Sequence, residues 1–294
     1  MNLSRREALG LAAAGLLPRI PTRPASFKIS YLTDIHLPND PLIQERASEA
    51  IDIASSNADF VLFGGDNLMA IDHKDEATIK GQFEGWKRVM GNWLKKPSRA
   101  ILGNHDVEQW ESTPSVMNGK KRALDHFGMP GRYWAHKQNG WKIIGLDTVH
   151  QDGDSFKGWL DPEQLEWLAG ELKDTKTPTM VVGHIPILTV TSLAHSNLKP
   201  KDNAFPIGFG NHVSNHYEAI KLFREAGNVK LVLSGHTHMQ DRVDYAGTSY
   251  ICAGAVCGGW WNGPNQGFGP AFPIIDLKED GTFSTQYINW ENPD

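Results

Sequence analysis

The chain of 294 residues carries 29 Lys and Arg against 34 Asp and Glu, a formal charge of -5, with an ordinary share of apolar residues. That length and composition exclude a disordered tail and allow one large domain or two small ones around a real core. The charge, with no Lys/Arg block in the body, argues against a stable nucleic-acid partner, and two cysteines alone, Cys252 and Cys257, exclude a disulfide framework and a thiolate metal cage.

At the N-terminus, Arg5-Arg6 precedes an apolar run from Ala8 to Leu17 that is too short and weak to span a bilayer. This segment resembles a twin-arginine export signal. The reading is residues 1–26 as signal and linker and 27–294 as one domain, periplasmic or secreted by that route, or otherwise cytoplasmic. After the Pro-rich stretch Pro18 to Pro24, short apolar or β-branched runs alternate with longer amphipathic ones, the pattern of an α/β protein. Strands buried on both faces are predicted at Phe27 to Thr33, Phe60 to Phe63, Arg99 to Leu102, Trp141 to Leu146, Thr179 to Val182 and Val229 to Leu233. Helices are predicted near Leu42 to Ser55, Ile79 to Leu94, Pro162 to Leu172 and His216 to Glu225. The third is well marked by an Asp161 cap followed by Pro162 at the first helical position. From Arg242 on, short β-like runs broken by Gly and Pro read as a closing meander.

The residues behind each predicted strand carry the chemistry, because ligands of open α/β sheets bind outside the carboxyl ends of the strands. The ends read Thr33-Asp34-Ile35-His36, Gly64-Gly65-Asp66-Asn67, Gly103-Asn104-His105-Asp106, Gly183-His184 and Gly235-His236-Thr237-His238. Any one of these residues alone is a turn or a helix cap. Apart from Asn67, His105 and Asp106, they deliver two carboxylates, an amide and four imidazoles to one edge, and Gly precedes the polar residue at four of the five ends. Several loops approaching one cation need that absence of side chains. The spacings Asp34-x-His36 and His236-x-His238 let alternate residues of an extended segment converge. All donors are oxygen or nitrogen, which suits Mn, Fe, Zn or Co, and seven of them exceed one tetrahedral shell, so two divalent ions sharing a carboxylate are expected.

The blocks D-x-H, G-D, G-N-H-D, G-H and G-H-x-H stand here in order, and the chain from Phe27 to about Asp241 resembles a calcineurin-like metallophosphoesterase of the bacterial phosphodiesterase-like group. The resemblance implies an α/β fold, a four-layer α/β/β/α sandwich of two mixed sheets flanked by helices, with the late meander in the second sheet. It also implies one ion held by Asp34, His36, Asp66 and His238 and a second held by Asp66, Asn104, His184 and His236. The purple acid phosphatase branch fits less well, since Met69 stands where its Tyr is expected. So does the protein-phosphatase branch, whose paired arginines have no counterpart near Asp66 or Asp106.

The expected function is hydrolysis of a small-molecule phosphoester, most naturally a diester, by a hydroxide formed between the ions. His105 is expected to protonate the leaving group and Asp106 to orient it. The alternatives are a phosphomonoesterase or a metal-binding protein of this fold without turnover. Trp260 and Trp261, between glycines, are read as a substrate wall or as packing under their loop. Asn67 is read as a phosphate donor or a turn amide, His212 as a substrate contact or part of a helix start, and His150 as a site-edge or surface residue.

Overall fold

The computed structural model describes residues 26–72, 74–108, 115–195, 207–208 and 210–291. The predicted signal segment therefore lies outside the described residues, apart from Ser26. In chain order the elements are β1 (Ser26–Leu32), α1 (Pro41–Asn57), β2 (Phe60–Phe63), α2 (Glu76–Trp93), β3 (Ser98–Ala100), a 3-10 turn (Asn104–Asp106), α3 (Lys121–His126), β4 (Trp134–Gln138) and β5 (Trp141–Gly145). There follow β6 (Val149–Asp152), β7 (Ser155–Gly158), α4 (Pro162–Glu171), β8 (Thr179–Val182), α5 (Thr191–His195), α6 (His216–Ala226), β9 (Val229–Ser234), β10 (Gln240–Tyr245), β11 (Thr248–Ala253), β12 (Phe272–Lys278) and β13 (Phe283–Ile288).

Local chemistry explains the helix starts. Asp40 accepts hydrogen bonds from the backbone of Leu42 and Ile43 ahead of Pro41, and Asp161 accepts from Gln164 ahead of Pro162, so each carboxylate satisfies N–H groups that the first turn leaves orphaned. Gly227, with φ 69°, terminates α6 in the left-handed conformation.

The strands form two large mixed sheets and a small hairpin of β6 and β7. One sheet runs β13-β12-β1-β2-β3, with β1, β2 and β3 parallel. The other runs β10-β11-β9-β8-β5-β4, with its four central strands parallel and antiparallel strands at both edges. The sheets face each other across a core of Ile29, Tyr31 and Leu62 from the first and Ile143, Met180, Val182 and Leu233 from the second, all fully buried. The outer face of the first sheet packs on α1, α2 and α3, and that of the second on α4 and α6. Burial on both faces is why the central strands read as unbroken apolar runs.

The late meander does not belong to one sheet. Strands β10 and β11 extend the second sheet beside β9, whereas β12 and β13 pair with β1 in the first. The chain crosses between them through residues 254–271, a segment tied down by Val256 and Cys257, whose N–H groups donate to the carbonyls of Thr33 and Asp34. Strand partners are set by tertiary packing, which local alternation does not reveal.

Candidate metal centre

The carboxyl ends of β1, β2 and β3 in one sheet meet those of β8 and β9 in the other. Five residues there have left-handed backbones: Asp34 (φ 54°), His36 (47°), Asp66 (49°), His236 (72°) and His238 (55°). Each such residue costs on the order of 1 kcal/mol, and strain of this kind persists where surrounding structure over-determines it, typically at functional sites. Hydrogen bonds fix the loops against one another. Asp34 accepts from the backbone of His236 at 2.9 Å and from the Thr33 hydroxyl at 2.6 Å, and Asp66 Oδ1 accepts from the backbone of His105 at 2.8 Å. A Cβ on Gly103 would overlap the Asp66 carboxylate and one on Gly235 would overlap that of Asp34, so both positions need the bare backbone.

The side chains gather in two lobes. In one, His36 Nε2 lies 3.1 Å from His238 Nε2, and His238 Nε2 lies 3.3 Å from Asp34 Oδ1. In the other, His236 Nδ1 lies 3.3 Å from His184 Nε2. Asp66 Oδ2 reaches both, 3.2 Å from His184 Nε2 and 3.6 Å from His36 Nε2. The tautomers follow from the opposite ring nitrogens. His36, His184 and His238 donate from Nδ1 to the carbonyls of Met69, Gly64 and Gly258, so their Nε2 atoms turn lone pairs inward. Two lone pairs at 3.1 Å repel unless a positive charge lies between them.

The neighbouring carboxylates favour a proton there. Burial disfavours imidazolium at His184, but the carboxylates of Asp66 and Asp34 outweigh it and lift the pKa to about 9. Burial is likewise overcome at His238, where Asp34 lifts the value to about 11, while burial holds His36 at about 3. The residues also fit divalent ions: Asn104 Oδ1 is fully buried with no hydrogen-bond partner, an acceptor that a cation would satisfy. All seven residues named from the strand ends, Asp34, His36, Asp66, Asn104, His184, His236 and His238, are brought to this edge, with Asp66 between the lobes.

The sequence profile of the calcineurin-like phosphoesterases matches residues 27–240. The chain belongs to that family. This chain is a metal-dependent phosphoester hydrolase. It is similar to a probable cyclic nucleotide phosphodiesterase of Synechococcus, 24% identical over 92% of this chain and 94% of the relative. It is also similar to a 3',5'-cyclic-nucleotide phosphodiesterase of Nostoc, 27% identical over 74% of each. Among solved structures, a dimetal phosphatase from Danio rerio superposes with TM-score 0.60 at 13% identity, covering 91% of this chain and 99% of that one, which shows the fold.

Other residues of this phosphoesterase stand differently from expectation. The carboxylate of Asp106 is fully buried and accepts from the backbone of Asn67, Leu68 and Gly103 and from the Asn67 amide, so it braces the loops of the candidate site and leaves the His105 ring alone. That ring bonds Asp72 instead, Nδ1 to Oδ1 at 3.2 Å. Burial lowers the pKa of His105, but Asp66 and the Asp72 hydrogen bond reverse this and raise it. Asn67 spends both amide hydrogens on Asp106 and the Ile101 carbonyl, leaving none for a phosphate. The two tryptophans divide. Trp261 is buried, and its Nε1 donates to the His36 carbonyl at 2.9 Å, a packing role. Trp260 stays 43% exposed and lies 4.0 Å, ring to ring, from His36.

His212 is tied to the Pro186 carbonyl and stacked on His216, away from the cleft, whose lining includes its neighbour Asn211. His150 is buried beside Trp159 and Asp161 rather than at the site edge. The cleft of about 320 Å³ is lined by Asp66, Asn104, His105, His236 and His238, with Trp260 and Phe156 as aromatic walls. Phe156, on the β6–β7 hairpin, sets its edge against His236 at 5.8 Å. Neither Phe156 nor Asp72 follows a buried strand, so the rule that found the ligands passes over both.

Proposed function

We propose that this chain is a phosphodiesterase of the dinuclear type, acting on diesters of the nucleotide class. The observation that carries the reading is the two-lobed cluster sharing Asp66 Oδ2, with inward lone pairs and the unpartnered Asn104 oxygen. Asp34, His36, Asp66 and His238 would hold one divalent ion, and Asp66, Asn104, His184 and His236 the other. Bound there, Mn, Fe, Zn or Co ions would supply a hydroxide near neutral pH and neutralise charge on the phosphoryl oxygens.

The remaining steps fall to the chain itself. His105 lies on the cleft wall with its Nδ1 on Asp72, so Nε2–H is the atom placed to protonate a departing alkoxide. Asp72 keeps that tautomer and favours the protonated ring. Trp260 and Phe156 flank the phosphoryl position with flat apolar faces suited to a base or sugar. The similarity to the Synechococcus and Nostoc cyclic nucleotide phosphodiesterases supports a nucleotide diester over other esters.

The test is hydrolysis of 3',5'-cyclic AMP, bis(p-nitrophenyl) phosphate and p-nitrophenyl phosphate by chelated protein after adding back each metal. Metal-dependent preference for the diesters is expected. Preference for the monoester would make the chain a phosphatase, and no turnover with two ions bound would leave it a metal-binding protein.

A further inference from the structure

A cleft of about 320 Å³ sits at the lower end of small-molecule sites, which run from roughly 300 to 1,000 Å³. Two ions and a phosphoryl group take much of it, so a nucleotide-sized substrate must extend beyond. Across Trp260 lies a second hollow of about 590 Å³, a trough lined by Pro38, Asn39, Met69, Ala70, Lys74 and Trp260, among others. Trp260 is the partition: it lines both spaces, with its ring against His36, His238 and His105 on the metal side. At 43% exposure it still has surface to offer.

We propose that this trough is the subsite for the nucleoside of the substrate, whose ribose oxygen leaves phosphorus and takes its proton on the His105 side. The inference rests on the phosphodiesterase reading above and assigns it a location. Three features place the nucleoside here. His105 meets Trp260 edge-on at 5.3 Å and bonds Asp72, two residues before Lys74, so the proton donor and the trough share one wall. Pro38, Met69, Ala70 and Trp260 form an apolar slot for a flat ring, with the Asn39 amide and Lys74 ammonium at its rim. Both rim residues are exposed, Asn39 beside Gly81 and Lys74 with its charge near Asp72, and each keeps surface for a polar ring edge. The slot is also pre-formed, because the backbone of Ala70 is clamped from both sides by Gln82, which accepts its N–H at 3.1 Å and donates to its carbonyl at 2.8 Å.

The experiment uses the full chain loaded with metal and reads competitive inhibition of bis(p-nitrophenyl) phosphate hydrolysis by AMP and by methyl phosphate, which is too short to reach the trough. Ala70→Phe fills the slot while the Gln82 clamp holds the backbone. The ratio of the AMP Ki to the methyl phosphate Ki should rise about tenfold. Should that variant fold poorly, the exposed pair Asn39→Ala with Lys74→Gln removes the polar rim and should raise the ratio about threefold to tenfold. A ratio unchanged in folded variants would overturn the subsite while leaving diester hydrolysis standing. Failure of the unaltered chain to hydrolyse any diester would overturn both.

Discussion

Asp72→Asn separates the two candidate partners of His105. The carboxylate of Asp72 lies 3.2 Å from Nδ1 and is about one-third exposed, with a side-chain value of 32%. A hydrogen bond between charged groups contributes roughly 1.5–3 kcal/mol, and solvent screening at this exposure reduces that to about 1–2 kcal/mol. If the bond acts in the transition state, its loss slows a step that needs the proton by roughly 5- to 30-fold. Esters with a basic alkoxide leaving group need it, and nitrophenyl esters barely do. The expected result is a 5- to 30-fold fall in kcat for an alkyl diester, with bis(p-nitrophenyl) phosphate changed less than about threefold. Asp106→Asn should behave differently. It turns an acceptor of four N–H groups into an amide and leaves buried donors facing each other, at about 2–4 kcal/mol of stability and no leaving-group discrimination. Kinetics on a series of leaving groups, beside thermal unfolding of both variants, decide the matter. Equal slowing of every ester by Asp72→Asn, or discrimination appearing in Asp106→Asn, would refute the assignment.

Other outcomes follow from the same geometry. Asn104→Ala removes the unpartnered acceptor, and metal analysis should find one lobe weakened about 10- to 100-fold in affinity with the fold retained. Gly235→Ala forces a Cβ into the space of the Asp34 carboxylate; circular dichroism should report a folded chain, and titration should show weakened metal binding. His150 gives a pH signature away from the site. Burial, aided by Lys120 and Arg132 against Asp147 and Asp161, holds it at about 4, and its side chain is 4% exposed. Between pH 6.5 and 4 the unfolded chain therefore takes up a proton that the folded chain refuses, so stability is complete above that window and falls with pH through it. At pH 4.5 the loss is about 2–3 kcal/mol, and urea unfolding of His150→Gln should show a pH dependence shallower by that amount.

The strands that carry the candidate ligands were legible because they are buried and are followed by a glycine or a polar residue, β3 excepted, an edge strand with Ser98 exposed and Arg99 half-buried. Phe60–Phe63 and Thr179–Val182 fall where predicted, and α4 and α6 begin at Pro162 and His216 as read. The short or half-exposed elements were not. Strand β4 lies at a sheet edge with the pattern Trp-Ala-His-Lys-Gln, and the β6–β7 hairpin buries Val149, His150 and Gly158 and leaves its other strand residues at least partly exposed, so neither has a distinct apolar signature. Partner identity was equally hidden. The run Gly103-Asn104-His105-Asp106 suggests that its own carboxylate serves its own imidazole. The 3-10 turn over Asn104–Asp106 instead directs Asp106 inward to the Asn67 backbone, and Asp72 approaches from another loop.

The crossing segment between β11 and β12 bears on when the site comes into being. His238 is held by the Gly258 carbonyl and His36 by Trp261, while β1, the first strand, gains its neighbour on one side only from β12 through pairings such as Phe27 with Leu277. During synthesis, at roughly 5–20 residues per second, a growing chain thus carries all seven candidate ligand side chains for several seconds before the residues that orient them have emerged. Tight metal capture is expected only after β12 has docked beside β1.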